Sequence, residues 1–169
     1  LNLHRAWIPS AKLEAAHQRN NQLRKTRTMP NPSEETPELE VATAAARAAG
    51  DVLANYFGTD YAVRTKESYN LVTDADVNAE RAIADVIREA YPTHAILGEE
   101  EQKGDVKSEH VWVIDPLDGT NNFVHAIPHF AVSIAYYRRG EAQCGVVFNP
   151  IRNDWYTAAK GRGAFANGQ

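Results

Sequence analysis

The sequence predicts an α+β fold, a largely antiparallel sheet with two long helices packed on one face. Three observations predict it. Two stretches between residues 36 and 91 carry apolar residues at three- and four-residue steps, the signature of amphipathic helices. From Pro92 onward the pattern changes to short apolar runs separated by turn residues. The helices come first and most later runs are close enough to pair as hairpins, which distinguishes α+β from an alternating parallel fold.

The first helix is expected to start at Thr36-Pro37, with Thr36 as N-cap and Pro37 at the position where a missing N–H costs nothing. Glu38 and Glu40 suit the positive end of the helix dipole. Val41, Ala45, Ala48, Val52 and Tyr56 fall on one face, and Gly58 stops the helix. A second helix is expected to begin near Asp76, with Ile83, Val86, Ile87 and Ala90 facing inward, and to end before Pro92. Ala95-Ile96-Leu97 and Val111-Trp112-Val113-Ile114 read as buried strands, each with acidic residues just past its C-terminal end. Phe130 to Tyr137, Gln143 to Phe148 and Trp155 to Ala158 continue as strands, joined by turns at Arg139-Gly140 and Pro150 to Asn153. Asn167-Gly168 is a strong hairpin signal with only Gln169 after it, so a chain cut short is expected.

The chain has 169 residues, 43% hydrophobic and 24% charged, which is the size and composition of one globular domain. No apolar run is long enough for a membrane-spanning helix, so no membrane partner is expected. A single cysteine, Cys144, excludes an internal disulfide and suits a reducing compartment, so a cytoplasmic location is expected. The net charge of −4 argues against general nucleic-acid binding. Charge is uneven, however. Residues 1–30 hold six basic residues and one acid, Glu14, and carry +5 against −9 for the remainder. A transit peptide, a nucleic-acid-binding arm and a disordered upstream extension before the only methionine, Met29, all fit such a leader. The extension is favoured because the segment lacks a sustained amphipathic pattern. A Pro30-Asn31-Pro32-Ser33 linker then separates it from a domain over residues 31–169.

The chemistry concentrates in Trp112-Val113-Ile114-Asp115-Pro116-Leu117-Asp118-Gly119-Thr120-Asn121-Asn122-Phe123. Pro116 forces a turn, which can bring Asp115 and Asp118 together and leave the Leu117 carbonyl free. Two carboxylates and a carbonyl are hard oxygen ligands suited to Mg²⁺. Gly119 permits close backbone approach, and the amides of a helix opened by Thr120 favour a phosphate. A plain capped turn explains the same residues. Glu99, at the end of the neighbouring strand, adds a third carboxylate, while Glu100 and Glu101 look like a solvated charge run. Three acids without basic partners repel unless a cation joins them. Thr73-Asp74-Ala75-Asp76 reads as either a helix cap or an Asp that orients a hydroxyl, and Lys66 as a surface lysine. His125 and His129 have metal-like spacing, but Pro128 disfavours a shared helix face. Cys144 reads as an inert core thiol, and Gly161-Arg162-Gly163 as a turn.

Together, Leu71-Val72-Thr73-Asp74-Ala75-Asp76, Gly98-Glu99-Glu100 and the run from Trp112 to Phe123 resemble the inositol monophosphatase family, in particular its bacterial branch. Phe130-Ala131-Val132-Ser133-Ile134-Ala135 and Gly161-Arg162-Gly163-Ala164-Phe165 agree in order and spacing, from about Glu38 to Gln169. The resemblance implies the N-terminal half of an αβαβα sugar-phosphatase sandwich. It implies Mg²⁺ held by Glu99, Asp115, the Leu117 carbonyl and Asp118, with Lys66 near a weaker additional position. Thr120 and Asp76 resemble the pair that orients the attacking water, with Glu99 beside them in the catalytic group. Gly119 and Thr120 resemble the amides that hold phosphate, so Glu99, Leu117, Asp118, Gly119 and Thr120 also form the expected substrate contacts. The implied activity is hydrolysis of inositol monophosphate with lithium sensitivity, often in a homodimer. Related phosphatases act on fructose bisphosphate or 3′-phosphoadenosine nucleotides, although Asn121-Asn122-Phe123 looks more like the inositol branch. The bacterial branch also implies a regulatory alternative, binding to RNA polymerase or ribosome-assembly machinery. The family's second half, with a further metal-binding aspartate, has no counterpart here, so weak Mg²⁺ binding and little turnover are expected of this chain alone.

Because residues 1–30 are polar, basic and set apart by a proline-containing linker, a chain starting at Met29 is expected to melt within a degree or two of the full chain, roughly the width of a neutral change. A large fall in melting temperature would make the leader structural.

Overall fold

The computed structural model describes residues 36–58 and 68–169, with side chains described for 36–58 and 74–169. Helix α1 spans Pro37–Tyr56, and the Thr36 hydroxyl oxygen accepts the Leu39 N–H at 3.2 Å. At the other end the Phe57 N–H donates to the Leu53 carbonyl and Gly58 takes a left-handed φ of 71°. Both ends are where the capping residues put them. The buried stripe is Leu39, Ala42, Ala45, Ala46, Ala49 and Leu53, so its centre is displaced from the expected one; Val41, Ala48, Val52 and Tyr56 lie half-buried along its edge. The physical reason is close packing on two sides. α1 lies against the second helix and the sheet together, and small alanines let it approach both.

Helix α2 spans Ser68–Ala90, and therefore starts well before Asp76. The Thr73–Asp76 segment lies inside the helix and does not cap it. Ala75, Ala79, Ile83 and Ile87 form one fully buried four-residue-step stripe, which a helix starting near Asp76 would have cut. Ala90 is exposed rather than inward.

Six strands follow and pair in chain order: β1 (Ala95–Leu97), β2 (His110–Asp118), β3 (Ala131–Arg138), β4 (Glu141–Asn149), β5 (Asp154–Ala159) and β6 (Gly163–Ala166). β1 runs parallel to β2, with Ala95 opposite Val111 and Leu97 opposite Val113; every other pairing is antiparallel. A short helix α3 (Thr120–Val124) leaves the end of β2. Trp112, Ile114, Val132, Ile134, Tyr136, Val146, Phe148 and Trp155 are buried in one core with both long helices. Val113, Val147 and Tyr156 project from the strands into solvent. The fold is thus α+β with a mixed, mainly antiparallel sheet. At the C-terminal turn, Asn167 and Gly168 have φ values of 53° and 78°, and Ala166 and Gln169 exchange both backbone hydrogen bonds.

β2 departs from the expected turn at Pro116. It continues to Asp118, with Asp115 opposite Ser133 and Asp118 opposite Ala131, so one extra residue is accommodated in a bulge. Proline lacks the N–H that a regular ladder needs, and a bulge is where a strand tolerates that loss.

At the opposite end of β2, the rings of His94 and His110 stack with centroids 4.4 Å apart, and His94 Nδ1 accepts the Trp112 Nε1–H at 3.1 Å. Burial, and then the neighbouring His110, hold His94 below its ordinary value of 6.5. The unfolded chain therefore takes up this proton first, and folding stability falls as pH drops through about 6.5. His94→Gln, which keeps an acceptor without a titrating ring, should flatten the stability profile between about pH 7 and pH 5 in urea melts. A slope equal to that of the parent chain would contradict this assignment.

Candidate metal centre

The parallel pairing of β1 and β2 places their C-terminal ends at the same edge of the sheet. Glu99 follows the last residue of β1 by two positions, and Asp115 follows Val113, the partner of that residue, by two. The chain after β1 turns tightly, with the Gly98 N–H donating to the Gln102 carbonyl and the Gly104 N–H to the Ile96 carbonyl, both at 2.8 Å. Glu99 and Glu100 are exposed at this turn.

Across from it, the half-buried Asp115 accepts the Leu117 N–H on Oδ1 at 3.1 Å, an Asx turn that shapes the bulge. Leu117 is buried as a whole residue. Its carbonyl is not free, since the Thr120 hydroxyl donates to it at 3.1 Å. A carbonyl oxygen has two lone pairs, so one acceptor direction remains. Asp118 and Thr120 are exposed. Between them Gly119 has φ 94°, and a Cβ there would come within 3.1 Å of the His129 carbonyl. Glycine is needed on both counts.

Asp76 approaches from α2, which packs on both β2 and α3. It is only 7% exposed, and its Oδ1 is buried with no hydrogen-bond partner. Burial, followed by the charges of Glu100, Asp115, Glu99 and Glu80, pushes its pKa up to about 7. Burial also raises Asp115 against the opposing Leu117 N–H, with Glu99 and Asp118 adding to the rise. Asp76, Glu99, Asp115 and Asp118 therefore belong to one electrostatic neighbourhood. Even so, among the described residues no three acidic, imidazole or thiol side chains close into a shell around a common point. Carboxylates of like charge stand apart unless a cation draws them in.

The donor set fits a hard divalent cation. Its members are carboxylates and a carbonyl, the charges acting on Asp76 are all carboxylates, and one buried carboxylate oxygen has nothing to bond. A cavity of about 410 Å³ opens beside Asp118 and Gly119, walled by Asn122, Asn149, Arg152 and Asp154, and gives room for a small organic ligand; of the four site acids, Asp118 alone lines it. Lys66 lies outside the described residues. His125 and His129 are exposed, and His129 uses its carbonyl to accept the Asn122 side-chain amide at 2.7 Å. Cys144 is a buried thiol, raised to about 11 chiefly by burial.

Glu100 is expected from the sequence only as a member of a solvated charge run, and Glu80 is not among the expected site residues. Glu100 is the charge that acts most strongly on Asp76, so it is more than a solvated neighbour of Glu99. Glu80 is fully buried on α2. Its signal was readable: Asp76, Glu80 and Ala84 follow four-residue steps along the buried side of the helix, where an acid is costly without a partner.

The inositol monophosphatase family model matches residues 34–169. The chain belongs to this family. Curated relatives include the Nus factor SuhB of Pseudomonas aeruginosa, 45% identical over 139 residues that cover 79% of this chain and 51% of the relative. The Nus factor SuhB of Escherichia coli K12 is 46% identical over 135 residues, covering 78% and 51%. Among solved structures, the inositol monophosphatase of Anabaena superposes with a TM-score of 0.65 at 40% identity, over 76% of this chain and 46% of that one. The Thermotoga maritima IMPase gives a TM-score of 0.68 at 34% identity, over 79% and 52%. The chain spans about half the length of the curated relatives it matches.

Since Asp76 is raised in the folded state, the folded chain binds its proton more tightly than the unfolded chain. Stability from this group falls as pH rises from about 4 to about 7. In chelator, Asp76→Asn should stabilise the chain at pH 8 by about 3 kcal/mol and remove that part of the pH slope. Denaturant melts at pH 5 and pH 8 check this; equal destabilisation at both would mean that Asp76 is not a strained carboxylate.

Proposed function

We propose that this chain carries the Mg²⁺-binding half of a phosphomonoesterase whose substrate is inositol monophosphate. The observation that carries the proposal is the buried Asp76 Oδ1, which lacks a hydrogen-bond partner and is surrounded by carboxylates at the edge where the strand ends converge. A buried acid in that setting needs a cation or an ordered water beside it. Glu99, Asp115, the Leu117 carbonyl and Asp118 would hold the ions, and Lys66 would stand near a weaker additional position. Magnesium, when bound, supplies charge neutralisation on the phosphate and acidifies a water.

The remaining roles belong to the chain itself. The amides at Gly119 and Thr120 hold phosphate oxygens at the start of α3. The Thr120 hydroxyl and the Asp76 carboxylate orient the attacking water, with Asp76 accepting its hydrogen bond on the vacant Oδ1. The Thr120 hydroxyl donates to the Leu117 carbonyl at 3.1 Å, which leaves its oxygen to accept a hydrogen bond from that water. Glu99 would hold the cation and so help to keep the catalytic group together. The cavity beside Asp118 and Gly119 would receive the sugar.

A second function is supported by relatives at 45% and 46% identity that are named Nus factors. Under that alternative the chain binds transcription or ribosome-assembly machinery, and its acids serve the fold or a metal without turnover. Activity on fructose bisphosphate or 3′-phosphoadenosine nucleotides is a third arm of the same test, as is a homodimer in solution.

Phosphate release from inositol, sugar and nucleotide monoesters, measured while Mg²⁺ is varied, separates these. This chain alone should release phosphate slowly or not at all; whatever release occurs should favour inositol monophosphate, depend on Mg²⁺ and be suppressed by lithium. Asp118→Asn should weaken Mg²⁺ binding by about tenfold or more by removing a charged ligand. Unchanged titration would count against the metal assignment. Binding to RNA polymerase that survives Asp118→Asn, with no phosphate release, would favour the regulatory function.

A further inference from the structure

Glu80 is a carboxylate with 0% exposure on a helix face that, apart from Asp76, is made of Ala75, Ala79, Ile83, Ala84 and Ile87. Burying such a group costs several kcal/mol unless hydrogen bonds replace its water, on the order of one strong bond per oxygen lone pair used. Three successive backbone amides supply them. The Glu100 N–H donates to Oε2 at 2.8 Å, and the N–H groups of Glu101 and Gln102 donate to Oε1 at 2.6 and 2.7 Å. Consecutive amides converging on one anion form a nest, and here the anion is a side chain from another element.

The neighbouring Gly98 closes the same arrangement. A Cβ at residue 98 would lie 2.5 Å from Glu80 Oε2 and 2.6 Å from its Cδ. The carboxylate could yield only by giving up amide bonds. Other links staple the turn from outside: Arg81 grips Glu101 through two bonds of 2.8 and 2.6 Å, and the Lys103 ammonium donates to the Glu99 carbonyl at 2.7 Å. Those groups are exposed and contribute little to rigidity. Glu80 is the buried link between α2 and the turn that carries Glu99 and Glu100. Asp76 stands one helical turn away on the same rigid element, so a single helix sets both sides of the acidic neighbourhood.

We propose that Glu80 is a positioning residue for the divalent-cation site. Its carboxylate, occupied by three amides, fixes where Glu99 and Glu100 stand relative to Asp76 and Asp115, and so sets Mg²⁺ affinity without touching the ion. This inference rests on the proposed Mg²⁺ site.

The test uses the full chain, with Glu80→Gln and Gly98→Ala as independent routes to the same fault. Gln keeps the shape but presents an NH₂ to amide donors; the added methyl displaces the native carboxylate. Amide hydrogen exchange without metal and Mg²⁺ titration by calorimetry are the two readouts. Exchange at residues 100–102 should quicken by about tenfold or more, and Mg²⁺ affinity should fall by about tenfold to a hundredfold, as expected for groups that orient a ligand. Exchange in α1 and β3 should stay unchanged, which global loosening would not allow. Either variant suffices if the other does not fold. Quicker exchange at the turn with Mg²⁺ affinity within about twofold of the parent would overturn the proposal, as would unchanged exchange at the turn. Uniformly faster exchange, or failure of both variants to fold, would make Glu80 a stability residue and also overturn it. A parent chain that takes up no Mg²⁺ would instead sink the metal site itself, and this inference with it.

Discussion

The parallel pairing of β1 on β2 aligns two strand ends that would point apart in an antiparallel arrangement, and the acidic neighbourhood depends on that alignment. Leu97 is level with Val113, so the chain leaves β1 toward Glu99 where β2 approaches Asp115. The bulge in β2 then gains a residue and returns Asp118 to register with Ala131, close to where α3 starts. The remaining strands form an antiparallel meander beside β2, and Ile134 and Tyr136 of β3 share the core with Trp112 and Ile114.

Collecting acids at one edge conflicts with burying them. Exposure relieves Glu99, Glu100 and Asp118, which remain accessible to solvent, while Asp115 is half-buried and accepts a backbone amide. Asp76 has neither remedy on Oδ1. Glu80, buried more deeply still, is satisfied by three amides. These two acids on one helix face thus differ in kind: one is fully hydrogen-bonded, and the other, under the proposed function, accepts a ligand. An open acid of this kind is an expected cost where function competes with stability.

Much of this was legible in the residues because local chemistry and tertiary demand agreed. Thr36-Pro37 and Gly58 bound α1 by capping and left-handed backbone, and the short apolar runs after Pro92 became strands in the expected order. The failures have physical causes. Asp and Thr at 73–76 mimic a cap, but the four-residue stripe from Ala75 to Ile87 carries the helix through them. Pro116 signals a turn, yet a bulge absorbs its missing donor and keeps β2 extended. Glu80 sits on a stripe whose other positions are mostly apolar, so a reading that turns acids outward passes over it, and nothing local in Glu99-Glu100-Glu101 tells which charge acts most on Asp76. Proximity across α2, β1 and β2 is a property of the fold and has no local sequence signature.

The chain belongs to the inositol monophosphatase family while spanning about half the length of the curated relatives it matches, and the proposed cation site lies in this half. Anomalous diffraction from crystals soaked in Mn²⁺, a substitute for Mg²⁺ with the same oxygen preference, tests it most directly. A peak is expected at coordination distance from carboxylates of Glu99, Asp115 or Asp118 and from the Leu117 carbonyl, with those side chains drawn inward. Strong peaks confined to other acids, or no peak at this edge at saturating Mn²⁺, would contradict it.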